Sequence, residues 1–575
     1  MRMTNKIMRN NSLYNINQNK ILEDKLTNQM TNQSKIARPS DDPVVAIRAL
    51  RLRTNVTTVS QYYDKNAKDA DQWISVTADA LTTIDEVLNH LYEEATGSAN
   101  KYLTADDLEI VMTQMKSLTQ EFYASGNVDY AGRYVFSGYR TDLPITFTAE
   151  DIKEMGKHPV SYEIHESKGF ADISTIEYTD FNVLDTDIGG DGMLPDKTSY
   201  EQSITNSTLY RLRLSYDSLD GGSLSITSNG KMSTVFMDKN SNPLPVKNVN
   251  GELQDADGNP LTMNAGTGQY EYANGQPVTD AAGNLLDQAG NPVLDMANQP
   301  VPLTAVPAQY DEAEKAYQAI ANGTEKGMVF IPTTGEVVFS KDYYDANFAE
   351  GDTFQISYDK SSWLEGDINP AHYFMCKETK DIGDGKSKTV IYNETTKDQD
   401  IYYDVGFNQQ IQVNTLATEV FTHDVRRDMD DFQHCLDQLR GIETKISDIE
   451  KKMGELPVDS DEYKNWNKKL EAAKKADSLI RENIHTKFEN QITKYQKYQN
   501  DNNIAITNNA ARGSRLDLIS TRLMNQKATF KDLQTDNEGI DVTQVAVELS
   551  SSELTYQAAL MATSKIMQTN LMNYI

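Results

Sequence analysis

The chain has 575 residues and a formal net charge of −30, because 85 aspartate and glutamate residues face 55 lysine and arginine residues. A chain of this length predicts several domains with a sizeable core, and its acidic balance argues against a nucleic-acid partner. No run of about 18 apolar residues occurs, which argues against membrane insertion.

The residue types that carry catalysis or bind metals form no recognised pattern. Cys376 and Cys435 lie too far apart in sequence to form a multi-bridge disulfide framework. The seven histidines are scattered, and none has a zinc-binding spacing. His434, adjacent to Cys435 on a predicted helix, points to a different face, so we expect one of the two to be exposed and the other to line the core. The sequence therefore predicts no enzyme, no catalytic residue, no metal and no cofactor.

A thin apolar stripe with helical spacing runs through residues 1–37. Ile7, Tyr14 and Ile21 recur every seven residues, and Leu22 and Leu26 continue the stripe in a step of four. So narrow a stripe does not stabilise an isolated helix, and it therefore predicts a partner helix.

A helix break followed at once by a helix start is predicted at Pro39-Ser40-Asp41-Asp42-Pro43. A residue that precedes proline avoids the α conformation. Asp42 can accept hydrogen bonds from the free N–H groups of the following helix, and Pro43 suits the first helical position.

The apolar residues from Leu52 to Ala95 then recur in steps of three and four, as in a coiled-coil seam. Two consecutive steps of four around Ala70 amount to a stutter, which locally unwinds a supercoil. A second helix is predicted over about 105–125.

From Gly132 to about residue 404 the signals are those of β-strands: short alternating runs separated by Gly, Asn, Asp and Pro. One helix is predicted near Tyr310–Ala321. A phrase of the type Asp-x-x-Gly-Asn-Pro-Leu recurs, and it can be interpreted as a calcium loop or as a set of turns. The turns are favoured because an EF-hand loop needs further acidic ligands and a closing glutamate, and calcium binding stays open. The phrases begin at Asp238, Asp255, Asp280 and Asp287.

The C-terminal third returns to amphipathic helices. A helical hairpin is predicted near 439–498 with its break at Gly454-Glu-Leu-Pro457, and a further seam runs from Leu516 to Leu533. After a break around 536–539, a last helix carries an apolar stripe that includes Tyr556, Leu560, Met567 and Leu571.

The predicted fold class is therefore α+β, with a long α-helical coiled-coil rod built from both termini and a β-rich insert in the middle. The predicted domains are a terminal helical coiled-coil domain (1–42 plus 541–575), a helical rod domain (43–147 plus 402–540) and a β-rich variable insert of one or two subdomains (148–401).

Four stretches of the sequence resemble the bacterial flagellin superfamily. Pro39–Pro43 with the following Val44-Val-Ala-Ile-Arg-Ala-Leu50 is similar to the N-terminal signature, and Leu554–Ile575 is similar to the closing helix. The runs 132–141 and 403–416 resemble hook-associated members more than filament flagellin, and the Phe-Asn-Gly-x-x-Leu-Leu phrase usual in flagellins does not occur in the sequence.

The resemblance implies a structural adaptor at the hook-filament junction, with flagellin, the filament subunit itself, as the alternative and a coiled-coil adhesin or phage-fibre protein as a third class. It implies contacts with other copies of the chain in a ring, with hook-associated protein 1, with flagellin and with a flagellar export chaperone. Terminal segments that are disordered in the monomer would order on assembly. The residues expected at these subunit contacts are Ile7, Tyr14, Ile21, Leu26, Tyr556, Leu560, Met567 and Leu571.

The N-terminus carries charge but no apolar segment, so no conventional secretory signal is visible, and taken alone this indicates a cytoplasmic protein. The resemblance reverses that expectation. It implies export of the unfolded chain through the flagellar type III channel, with an uncleaved N-terminal signal, and a place in the extracellular flagellum.

Overall fold

The computed structural model describes residues 5–99, 102–187, 192–194, 198–228, 244–247, 252–255, 259–294, 298–303, 306–383, 385–393 and 399–568. The long helices come from the two ends of the chain and the sheet strands from its middle, which confirms the predicted α+β class. The helices are α1 (Asn5–Asn32), α2 (Pro43–Gln61), α3 (Lys68–Ala99), α4 (Ala105–Ala124), α5 (Ala149–Met155), α6 (Tyr200–Ser203), α7 (Ala313–Ala321), α8 (Lys341–Asn347), α9 (Ala417–Val420), α10 (Asp424–Gly454), α11 (Asp461–Glu538) and α12 (Val542–Gln568).

The strands are short except in the two main sheets. They are β1 (Asp129–Tyr130), β2 (Arg133–Tyr134), β3 (Val160–Gly169), β4 (Ile173–Asp180), β5 (Thr205–Arg213), β6 (Ser225–Ser228), β7 (Val246–Lys247), β8 (Leu253–Gln254), β9 (Thr262–Met263), β10 (Tyr270–Glu271), β11 (Ala308–Gln309), β12 (Val329–Ile331), β13 (Glu336–Phe339), β14 (Thr353–Lys360), β15 (Met375–Gly383), β16 (Lys386–Tyr392), β17 (Tyr402–Gly406) and β18 (Gln409–Gln412).

The chain divides into two compact units. The first comprises Met1–Ile74, Tyr402–Val413 and Ala510–Ile575, and the second comprises Ser75–Ile401 and Asn414–Asn509. Helix α11 has 78 residues, which is about 115 Å at a rise of 1.5 Å per residue, and it contributes to both units. The predicted three-part domain division stays a prediction.

The first unit is built from helices with a small β-hairpin. Helix α1 packs against α12, and β17 packs on a π-helical segment, Tyr62–Ala67, that links α2 to α3. The apolar steps of three and four in the sequence place one row of side chains inward, as the predicted seam requires. Buried members of this row are Val59, Ala70, Ile74, Leu516, Ile519 and Leu523, and the neighbouring Ala67 and Trp73 are buried as well.

The second unit contains a helical layer in which α4 packs against α10. The predicted inward positions are confirmed, because apolar residues at helical spacing are buried while the intervening residues are largely exposed. The predicted break at 454–457 is confirmed as well, since α10 ends at Gly454 and α11 begins at Asp461. The buried side chains include Leu81, Ile84, Leu88, Leu91, Leu108, Met112, Met115, Leu439, Ile442 and Phe488.

Two sheets form the β-rich part of the second unit. One has five antiparallel strands in the order β16-β15-β3-β14-β6, and the other has seven strands in the order β4-β5-β13-β12-β11-β7-β8, with β11 parallel to both of its neighbours. Helix α7, which confirms the helix predicted near Tyr310–Ala321, buries Tyr317 and Ile320 against the larger sheet.

A buried ion network joins this sheet to the helices. Arg211 on β5 donates from both terminal nitrogens to the carboxylate of Asp431 on α10, at 2.7 Å each, and also to Glu336 at 2.7 Å. Lys487 on α11 donates to Asp431 at 3.0 Å. Arg213 pairs with Asp428 at 2.7 Å in the same network. These charges are desolvated together and therefore depend on one another.

The structure corrects the expectation that one of His434 and Cys435 is exposed, since the side chain of His434 is only 15% exposed. Cys435 is buried, and His434 packs edge-on against Tyr317 with ring centroids 5.0 Å apart. Burial lowers the pKa of His434 to about 4. The expectation failed because α10 has the sheet and α7 on one side and α11 on another, so that more than one face of this helix lies inside the unit.

The recurring aspartate phrases form turns where the structure describes them. The Asp280 carboxylate accepts hydrogen bonds from the backbone N–H groups of Ala282 at 2.9 Å and Asn284 at 2.8 Å, and from the Asn284 side chain at 3.1 Å. Gly283 takes the left-handed conformation, with φ +86°. Asp287 makes the same bonds to the residues that follow it. The turn interpretation is confirmed for these two phrases, and the phrase at Asp238 lies outside the described residues.

Candidate assembly surface

The two terminal helices, α1 and α12, pack against each other and bury few large side chains. Ile16 and Leu26 on α1 and Val545 on α12 are buried, and among the side chains of α12 that the structure describes, the small polar residues Ser552 and Thr563 are the other buried positions. The apolar area enclosed by the pair is therefore small, as the thin stripes of the sequence predict.

The residues predicted at subunit contacts fall into two groups. Leu26 is buried and Tyr556 is half-buried. Ile7, Tyr14 and Ile21 are 47%, 63% and 62% exposed, and Leu560 is 43% exposed. Met567 lies in α12 but its side chain is outside the described residues, as is the whole of Leu571. The role of these residues in subunit contacts stays a prediction.

Further apolar side chains on the same helices are exposed, and the seven-residue stripes did not single them out. A row of exposed apolar side chains on two neighbouring helices is typical of an interaction surface rather than of the outside of a monomer. These additional residues are Leu13, Val547, Leu554 and Met561, and Leu533 near the end of α11 is also exposed.

The Pro39-Ser40-Asp41-Asp42-Pro43 segment fixes the start of α2. Asp42 is extended and its carboxylate accepts from the N–H groups of Val44 at 3.0 Å and Val45 at 3.1 Å, with Pro43 in the first turn. This confirms the predicted helix start. Asp41 has a role that the sequence did not indicate: its carboxylate accepts from the backbone N–H groups of Arg38 and Ala37, and these bonds lower the pKa of Asp41.

The connection from α1 to α2 is bonded to the connection from α11 to α12. The Lys35 N–H donates to the Glu538 carbonyl at 2.7 Å, and Ser34 forms an isolated β-bridge with Gly539. The Lys35 ammonium donates to the Asp536 carbonyl at 2.7 Å, and the Arg53 Nε donates to the Glu538 carboxylate at 2.9 Å. Both helix breaks were predicted, but nothing in the sequence indicated that they meet.

The β17–β18 hairpin holds the π-helical segment of the same unit. The Asn66 side chain donates to the Asp404 carbonyl at 2.7 Å, and the Tyr403 hydroxyl hydrogen-bonds Asp69. Phe407 packs edge-on against Tyr62 at 5.6 Å between ring centroids. The π-helical segment lies just before the stutter predicted around Ala70. The two consecutive steps of four between apolar residues were the sequence feature that indicated an irregular helix here.

Within the described ranges, no group of three or more His, Cys, Asp or Glu residues has a geometry that could hold a metal ion. Over the same ranges, no helix is both long and apolar enough to cross a membrane. The candidate functional features are therefore the exposed apolar surface of α1 and α12 and the hydrogen-bonded connections between α1 and α2 and between α11 and α12.

Part of the chain is similar to known proteins. Residues 3–141 match the family model of the bacterial flagellin N-terminal helical region. Flagellar hook-associated protein 3 of Escherichia coli (strain K12) is 27% identical over 159 residues, which are 28% of this chain and 48% of that protein. The protein of the same name from Salmonella typhimurium is 27% identical over 143 residues, which are 25% of this chain and 45% of that protein.

The chain therefore spans about half the length of the curated relatives that it matches. Among solved structures, flagellar hook-associated protein 3 from Legionella pneumophila aligns with 84% of this chain and 98% of that chain, at 9% identity. The TM-score of that alignment is 0.25.

Proposed function

We propose that this chain, whose N-terminal helical region is that of the bacterial flagellin family, is a structural adaptor at the hook-filament junction. It would join hook-associated protein 1 on one side to the flagellin filament on the other. The observation that carries the proposal is the match of 159 and 143 residues of the chain to two relatives that are both named flagellar hook-associated protein 3. Flagellin itself is the weaker alternative for that reason.

The exposed apolar residues support this role. Ile7, Tyr14 and Ile21 recur on one face of α1 and remain exposed although α12 packs alongside. Burying a side chain of this size fully contributes about 1.5–3 kcal/mol. Neighbouring subunits would supply that burial, and a head-to-tail contact repeated between copies would produce a ring.

The partners and location follow from the same proposal. The terminal helices enclose little apolar area in the single chain and would gain stability on assembly. We therefore infer that these segments are unfolded in the free chain before and during export. It would be exported through the flagellar type III channel, with a chaperone covering the C-terminal helix, and would end in the extracellular flagellum. The scarcity of cysteine is compatible with that route.

A deletion and complementation experiment tests the adaptor role. Cells without this chain are expected to assemble hooks, to lack filaments and to release flagellin into the medium, and the full chain should restore filaments. The triple variant Ile7→Ser/Tyr14→Ser/Ile21→Ser lies within the proposed export segment, so its amount in the culture medium is measured first. It should reach the medium as the full chain does but should not restore filaments.

The matched control is Ile110→Ser/Val458→Ser, which removes exposed apolar side chains that lie away from the terminal helices. This control should restore filaments. Normal filaments in the deletion strain, or full function of the triple variant, would contradict the proposal.

A further inference from the structure

Charge is unevenly distributed over the two helices that flank the π-helical segment. Helix α2 contains three arginines and no carboxylate. Helix α3 contains seven carboxylates and a single lysine, Lys68, at its first position. In a chain whose net charge is −30, the basic character of α2 is a local exception.

The exposed face of α2 combines arginine with apolar side chains. Val44, Ile47 and Leu50 are 60%, 56% and 61% exposed. Arg48 and Arg51 are exposed on the same side, at helical steps from Val44 and Ile47. Within the described residues, no carboxylate forms an ion pair with either guanidinium, whereas the third arginine of the helix is paired with Glu538.

The exposed face of α3 is a line of carboxylates. Asp79, Glu86 and Glu93 are exposed and recur every seven residues, which places them on one side of the helix at intervals of about 10 Å. Asp79 and Glu86 form no ion pair within the described part of the chain, and Glu93 has only the exposed His90, at 3.4 Å.

We propose that the basic and apolar face of α2 in one copy docks against the acidic face of α3 in a second copy. This inference rests on the proposed function, because it names the surfaces through which copies would contact each other in the ring. Opposite charges on the two faces favour encounter and fix the register. A symmetric contact between two α2 faces would instead place arginines against arginines, so the complementary charges favour a head-to-tail contact.

A crosslinking experiment locates the contact. The full chain with p-benzoylphenylalanine at position 47 replaces the native copy in cells, flagella are isolated and irradiated, and the crosslinked peptides are sequenced by mass spectrometry. The expected product joins position 47 to a peptide from 68–99 of another copy.

Charge reversal then tests the electrostatic argument. Arg48→Glu/Arg51→Glu should lower the crosslink yield about tenfold, and adding Asp79→Lys/Glu86→Lys in the same chain should restore it. The matched control is Lys386→Glu/Lys388→Glu, which changes the net charge by the same amount on exposed lysines of β16 and should leave the yield unchanged.

Each contrary outcome has a distinct meaning. Crosslinks to another copy outside 68–99, crosslinks to lipid or to a different protein, or no restoration by the second pair of reversals would overturn this inference and leave the adaptor role standing. Absence of the chain from isolated flagella would overturn the adaptor role and this inference with it.

Discussion

Replacing Asp431 by alanine should destabilise the second unit by about 3–5 kcal/mol, the cost of removing one partner from a buried ion pair. Asp431 is 4% exposed and accepts both bonds of the Arg211 guanidinium, at 2.7 Å, and one from Lys487 at 3.0 Å. Burial alone would raise the pKa of Asp431, but Arg211 and Lys487 hold it well below its usual value. After the substitution Arg211 retains Glu336, while Lys487 loses its buried acceptor.

Native-state hydrogen exchange is the appropriate assay, because a chain with two compact units does not have a single unfolding free energy. A loss of 3–5 kcal/mol corresponds to exchange that is faster by roughly two to four orders of magnitude, at 1.4 kcal/mol per factor of ten. The acceleration should appear in the most protected amides of β5 and α10.

The control is Glu109→Ala, which removes the exposed pair between Glu109 and Arg440, at 2.7 Å. An exposed pair contributes about 0–1 kcal/mol, so exchange should change by less than tenfold. If Asp431→Ala behaved like this control, the network would not hold the sheet to the helices.

Three further predictions follow from other parts of the structure. Gly335 has φ +59°, and a Cβ there would overlap the Tyr216 carbonyl oxygen, so Gly335→Ala should lower the thermal unfolding midpoint. The control is Gly323→Ala, because the space around Gly323 is open and alanine in its left-handed conformation costs only about 1–2 kcal/mol. Gly335→Ala should have by far the larger effect, and equal effects would contradict this prediction. Stability of the second unit should fall as pH drops from 6.5 toward 4, because burial lowers the pKa of three histidines and the unfolded chain takes up the protons first. Four carboxyls whose pKa is raised by burial oppose this effect, and a urea midpoint that rises over this range would contradict the prediction. The histidines are His372, His423 and His434, with pKa values of about 4, 3 and 4, and the carboxyls are Asp359 and Asp430, with pKa values of about 6, together with Glu314 and Asp367. Deleting residues 1–30 should abolish secretion, measured by immunoblot of the culture medium, and normal secretion of the truncated chain would exclude an N-terminal export signal.

Features set by neighbouring residues were predictable from the sequence. The cap of α2 by Asp42, the break after Gly454 and the turn at Asp280 each depend on bonds or backbone preferences within a few positions. The buried rows of the long helices were predictable for the same reason, because helical periodicity determines which side chains share a face.

Features that join distant parts of the chain were not predictable. The bond between Lys35 and Glu538 and the pair between Arg211 and Asp431 link residues separated by hundreds of positions. The sequence alone does not distinguish a charged residue that is exposed from one that is buried in an ion network. His434 was misjudged for a related reason, since the number of covered faces of a helix depends on which elements pack around it.

The adaptor role is tested most directly by immunogold electron microscopy of intact flagella, with an antibody raised against residues 150–400. We expect a single band of label where the hook meets the filament, because a junction is a short layer of subunits. Label along the whole filament would identify the chain as flagellin and exclude the adaptor role, and label absent from flagella would exclude the flagellar assignment altogether.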